Sequence, residues 1–207
     1  MSEHRSERRR GALGAQRATS ASDERLREER HKPMPEQVTI GVAVPIPEPH
    51  ASVLSGWRRR VGDPGADVIP THVTLLPPTA FDVDRLDVIE KHLEQAATSV
   101  LPFTMRLSGT GTFRPVSQVV FVQVSAGIAE CELLERSVRR DPVVREVEFP
   151  YHPHVTVGHD IADAQLDEAF DGLRDFVAQF LVDRFVMYTQ DTDGAWHPQR
   201  DFVLTGI

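Results

Sequence analysis

The tripeptide His-Val-Thr is written twice in this chain, at His72-Val73-Thr74 and His154-Val155-Thr156, 82 residues apart. Both copies sit inside apolar, β-branched runs, THVTLL and PHVTVG. In an extended strand, residues i and i+2 share one face, roughly 6–7 Å apart. Each copy therefore offers an imidazole and a hydroxyl on one side and sends its valine into a core. Two such strands facing one another would surround a common pocket with two histidines and two threonines. The fold must bring two distant but similar strands together.

Sliding the sequence along itself supports that demand. At a shift of 82, PFTMRLS (102–108) lies over RFVMYTQ (184–190). VTIGVAV (38–44) lies over VVFVQVS (119–125) with a slip of one, and GTFRP (111–115) over GAWHP (194–198) at 83. A duplicated unit with one His-x-Thr strand per copy explains all three blocks.

Periodicity and breakers predict strands at 38–44, 71–76 (ended by Pro77-Pro78), 103–107, 119–124, 151–157, 180–189 and 200–204. They predict helices at 48–60, 82–98, 128–139 and 163–176. The expected class is α+β: a duplicated, bilobal domain of two mostly antiparallel sheets facing a central cleft, with helices outside. A cleft between related lobes is a usual place for a ligand pocket. Residues 37–207 are expected to make up this domain. The first 36 residues hold nine Lys/Arg, seven Asp/Glu and almost no large apolar side chains, so a disordered tail is expected there. Met34, just before the first strand, is a second candidate start.

Charge narrows the partners. The tail carries +2 of the chain's net −8, leaving −10 on residues 37–207. An acidic surface repels a long phosphate backbone, so duplex DNA is not expected. A small anion or one RNA terminus fits better. The Arg58-Arg59-Arg60 run reads as a charged helix C-terminus favourable to the dipole. With one cysteine, no secretory leader and no apolar run long enough to cross a membrane, a cytoplasmic monomer is expected.

Chemically, a histidine pair suits general acid–base work. With an ordinary pKa near 6.5, one ring can be neutral while the other is protonated at neutral pH. The neutral ring takes a proton from water and the protonated one gives a proton to a leaving oxygen. Thr74 and Thr156 would donate to non-bridging phosphate oxygens, where charge accumulates. No carboxylate-rich ligand set lies near either motif, so neither a metal nor another cofactor is expected.

These residues resemble the 2H phosphoesterase superfamily, the 2′-5′ RNA ligase-like and cyclic phosphodiesterase proteins. The segment Gly109-Thr110-Gly111-Thr112-Phe113 also resembles that family's Gly-x-Gly-x-Phe turn after the first motif. The resemblance implies His72 and His154 as the catalytic pair and Thr74 and Thr156 as phosphate-binding hydroxyls. It also implies cleavage of a cyclic phosphodiester, such as a 2′,3′-cyclic phosphate on an RNA end or a nucleotide. Some members run the reverse chemistry and join RNA ends through a 2′-5′ bond. Many RNA-acting relatives carry a basic residue shortly after the second motif, where this chain has Gly158-His159-Asp160. A non-catalytic module that holds a nucleotide or RNA end is the rival reading. Phe113, Arg114, Tyr151, His152 and Trp196 are the further candidates for cleft lining. Phe113 and Trp196, equivalent under the repeat, would supply one aromatic wall per lobe, and Arg114 is the candidate cation for phosphate.

Overall fold

A computed structural model describes residues 36–146 and 149–206. The predicted tail falls, but for Glu36, outside the described residues. The elements in order are β1 (Gln37–Pro45), α1 (His50–Arg60), β2 (His72–Asp82), a 3-10 turn (Val83–Arg85), α2 (Leu86–Ala97), β3 (Phe103–Thr112), β4 (Val119–Ala126), α3 (Ile128–Val138), β5 (His154–His159), α4 (Asp163–Gly172), β6 (Val177–Val182), β7 (Arg184–Gln190) and β8 (Trp196–Val203). They build two four-stranded sheets, ordered β2-β1-β7-β8 and β5-β4-β3-β6. Every pairing is antiparallel.

The two orders agree over their first three strands once the repeat is applied. β1 and β2 correspond to β4 and β5, and β3 to β7. Yet β7 pairs with β1 and β3 pairs with β4, so the third strand of each copy is traded into the other sheet. Helices cross over as well: α1 packs against β5, and α3 against β2. Their buried sides follow the sequence spacing, with Ile89, Leu93, Ala96 and Ala97 on α2 and Cys131, Leu134 and Val138 on α3. Gly172 ends α4 under the indole of Trp57, where a Cβ would overlap the ring. Among the described residues, no helix is long and apolar enough to cross a membrane.

Three predicted boundaries need correction. The apolar run 180–189 is not one strand: β6 edges one sheet, Asp183 intervenes, and β7 lies inside the other sheet. Hydrophobic pattern marks burial but not which sheet supplies it. Second, Pro77-Pro78 does not end β2, which continues to Asp82. β2 is an edge strand, where the missing proline N–H costs no ladder bond. The register slips across the prolines, from Val42↔Leu76 to Ile40↔Thr79. Third, β5 starts at His154, so Tyr151 and His152 lie on the segment that leads into it.

Candidate active site

β2 and β5 are the outer strands of different sheets, and they lie against each other. In both, the burial alternates as the motif demands. Val73 and Val155 are fully buried, while His72, Thr74, His154 and Thr156 are half-buried.

Both imidazoles are held by the same device. His72 Nδ1 is 2.6 Å from the carbonyl oxygen of Pro70, and His154 Nδ1 is 2.6 Å from that of His152. A carbonyl only accepts, so each Nδ1 carries the hydrogen and each neutral ring presents a bare Nε2. The partner is two residues upstream in each case, a backbone group that side-chain motifs do not reveal. The two Nε2 atoms then differ. That of His72 accepts from the Thr74 hydroxyl at 3.1 Å. His154 instead sits among aromatic rings, edge-on to Phe113 with centroids 5.0 Å apart and beside Phe121 at 5.1 Å.

Burial disfavours the charged form of both rings. It lowers the His72 pKa, against the pull of the Pro70 carbonyl and with help from the charge of Arg58. Burial likewise takes His154 down to about 4; the His152 carbonyl opposes the shift, and His152 and His72 add to it. Both shifts favour the neutral ring, against the expectation that one of the pair is protonated at neutral pH.

Two adjoining cavities meet here. The first, about 420 Å³, is lined by His72, Thr74 and Thr156 and extends to Arg58, Tyr188 and Trp196. The second, about 710 Å³, is lined by Thr74, His154, His152, Phe113, Tyr151 and Arg145. Thr74 and Pro77 belong to both. The four motif side chains are thus divided between two spaces that join at Thr74. Phe113 and Trp196 stand one in each. Trp196 is tucked against β1 at Gly41, where a Cβ would come within 2.8 Å of the indole. The Tyr151 hydroxyl donates to the Thr74 carbonyl at 3.0 Å, linking the two motif segments. Arg114 lines neither cavity: its guanidinium is held by Asp167 at 2.7 Å and Asp163 at 3.5 Å on α4.

All three arginines of the 58–60 run lie in the last turn of α1, as a charged helix C-terminus requires, but their surroundings differ. Arg59 and Arg60 stand in exposed pairs with Asp67 and Glu168. Arg58 is buried, bonded to Asp63 at 2.8 Å and to the Ile69 carbonyl at 2.6 Å. A signal was available: four residues after the fully buried Leu54, Arg58 falls on the inner stripe of α1. Among the described residues, no three His, Cys, Asp or Glu side chains are grouped to hold a metal ion.

Comparison with known proteins places this geometry. The family model described as the 2′-5′ RNA ligase superfamily matches residues 46–194, well over half of the chain. A Bacillus mycoides protein assigned by name to the phosphoesterases is 30% identical over 152 residues, covering 72% of this chain and 87% of that protein. In fold, the chain is similar to Escherichia coli LigT complexed with 3′-AMP (TM-score 0.62, 20% identity), across 82% of this chain and 99% of that one. It is also similar to a protein from Thermus thermophilus (TM-score 0.55, 22% identity), across 81% and 98%.

Proposed function

The chain belongs to the 2′-5′ RNA ligase superfamily, and on that premise we propose that it hydrolyses a cyclic phosphodiester, without a metal ion, by the paired action of His72 and His154. The observation that carries this is the shared setting of the two rings. On strands in contact, each has Nδ1–H pinned by a backbone carbonyl, which leaves Nε2 to exchange protons; the Thr74 hydroxyl, bonded to His72 Nε2 while no phosphate is bound, would turn to the phosphate with Thr156.

Because both pKa values are lowered, the working proton arrives with the substrate. A phosphodiester anion beside the rings favours an imidazolium, so binding takes up one proton. The other ring stays neutral and removes a proton from water as the water oxygen bonds to phosphorus. The phosphorus–oxygen bond to one ribose oxygen breaks, and that oxygen receives the imidazolium proton. The product is an open phosphate monoester, and the two rings have exchanged proton states. Either histidine can begin as base. Thr74 and Thr156 would stabilise charge on the non-bridging oxygens.

A 2′,3′-cyclic phosphate on a nucleotide or RNA end is the proposed substrate, and the superfamily name agrees with that chemistry. Incubation with 2′,3′-cyclic nucleotides in EDTA should yield the monophosphate, and His72→Ala and His154→Ala should each abolish it. Tight binding without product would instead mark a non-catalytic module. Calorimetry of phosphate binding in buffers of different ionisation enthalpy should reveal proton uptake. The second cavity favours one further reading, 2′-5′ ligation: a 5′-hydroxyl end seated beside His154 would replace water as nucleophile. A radiolabelled RNA pair would report that joined product. The acidic charge of residues 37–207 favours a small cyclic phosphate over a long nucleic acid, and we further propose a monomeric, cytoplasmic protein.

A further inference from the structure

The first cavity continues well beyond the space one phosphate needs, and its walls change character as it does. Past His72 and Thr156 they are mostly apolar, ending at the aromatic rings of Tyr188 and Trp196. Its about 420 Å³ lies in the range of pockets that enclose a whole small ligand. Among the described residues lining the cavity, no lysine occurs and no arginine is free, and beyond the motif the other basic side chain, His159, already faces the Asp160 carboxylate. Arg58 is its one arginine, buried and already neutralised by Asp63, with side-chain exposures of 6% and 3%. Asp160 adds a carboxylate at the mouth, 3.4 Å from the exposed ring of His159.

We infer that this cavity is the subsite for the organic substituent of the substrate, and that it takes an uncharged, planar group and selects against a second phosphate. The inference rests on the phosphodiesterase reading and sharpens it. A second phosphate here would be desolvated without a counter-charge, or would have to break the Arg58–Asp63 pair, and either is costly. An aromatic or heterocyclic ring would meet Trp196 and lose nothing to charge. Among cyclic phosphates this favours a free nucleoside 2′,3′-cyclic phosphate. An RNA 3′ end or an ADP-ribose cyclic phosphate, each with further phosphates attached, would be disfavoured.

The test compares adenosine 2′,3′-cyclic phosphate with its 5′-phosphorylated form on the full chain. The expected result is a kcat/KM about tenfold or more lower for the 5′-phosphorylated compound, expressed mainly in KM. Asp160→Asn should narrow that ratio by about two- to fivefold, since the carboxylate is exposed, and added salt should narrow it too. Trp196→Ala should raise KM for the free nucleoside by about tenfold, and Trp196→Phe, which keeps an aromatic ring against Gly41, should raise it less. Equal or better turnover of the 5′-phosphorylated compound would overturn the inference while leaving the phosphodiesterase reading intact. If neither compound is cleaved, that reading fails, and calorimetry decides the subsite alone. Adenosine 3′-phosphate binding more tightly than adenosine 3′,5′-bisphosphate supports it, and the reverse order ends it.

Discussion

The two His-x-Thr strands are copies, but the segments that lead into them are anchored differently. Before His72, the chain is held by a buried ion pair of its own half and by one bond from the other: Arg58, buried with Asp63, bonds the Ile69 carbonyl three residues upstream, and the Trp196 backbone N–H donates to the Val68 carbonyl at 2.9 Å. Before His154, the ties run across the molecule. Arg145 bonds the Pro77 carbonyl at 3.3 Å and the Thr79 hydroxyl at 2.9 Å, and Tyr151 bonds the Thr74 carbonyl. The first motif thus rests on a buried ion pair of its own half, whereas the second is tied by side chains that reach across to β2. Duplication supplied two equal sets of imidazole and hydroxyl groups, while each set is held by different contacts.

The hardest way to break this comparison is to remove each imidazole in turn. His72→Ala and His154→Ala should each lower kcat by about 10²- to 10⁴-fold, read as product formation at saturation. A large loss in one variant alone would show that the copies have parted in role. Next comes the buried ion pair behind the first motif. Asp63→Asn leaves Arg58 buried without its partner and should cost about 3–5 kcal/mol in chemical denaturation. Glu135→Gln, which unpairs Arg139 in the second half, should cost less, because that pair is more exposed than Arg58–Asp63.

Acid provides a third comparison. The unfolded chain takes up protons on these histidines near pH 6.5, whereas folded His154 resists until about 4. Stability should be flat above about pH 6.5 and fall as the pH drops towards 4, by about 2–3 kcal/mol for this ring. His154→Gln should flatten that fall, and His72→Gln should do so in the same direction. Denaturation curves that respond to only one variant would show unequal burial of the two sites. The smallest effect is the cross-tie. Tyr151→Phe keeps the ring and loses the hydroxyl, costing about 1 kcal/mol of stability and several-fold in kcat through misplacement of Thr74. Ser99→Ala, which removes a comparable bond to the Ala96 carbonyl at the end of α2, should match the stability loss and leave kcat unchanged.

Much of this was legible because it is local and periodic. The valine between each His and Thr fixes which side faces inward, and the antiparallel, two-sheet character follows from short strands with clear breakers. Features that depend on long-range partners were not legible. Nothing in the run 177–190 announces a change of sheet at Asp183, since both parts are apolar for different reasons. Pro77-Pro78 reads as a stop unless the strand is known to be an edge. Arg58 looks like its two neighbours until the helix stripe is traced from Leu54. The carbonyls of Pro70 and His152 have no side-chain signature. Arg114 stands beside the expected turn, yet the carboxylates that hold it lie on a helix some 50 residues later.

The traded third strands make the halves interdependent. Residues 37–112 alone hold β1 and β2 but lack β7, and residues 119–203 alone hold β4 and β5 but lack β3. A cut between the halves would leave each sheet short of an inner strand, so the two pieces would have to re-associate before either was whole.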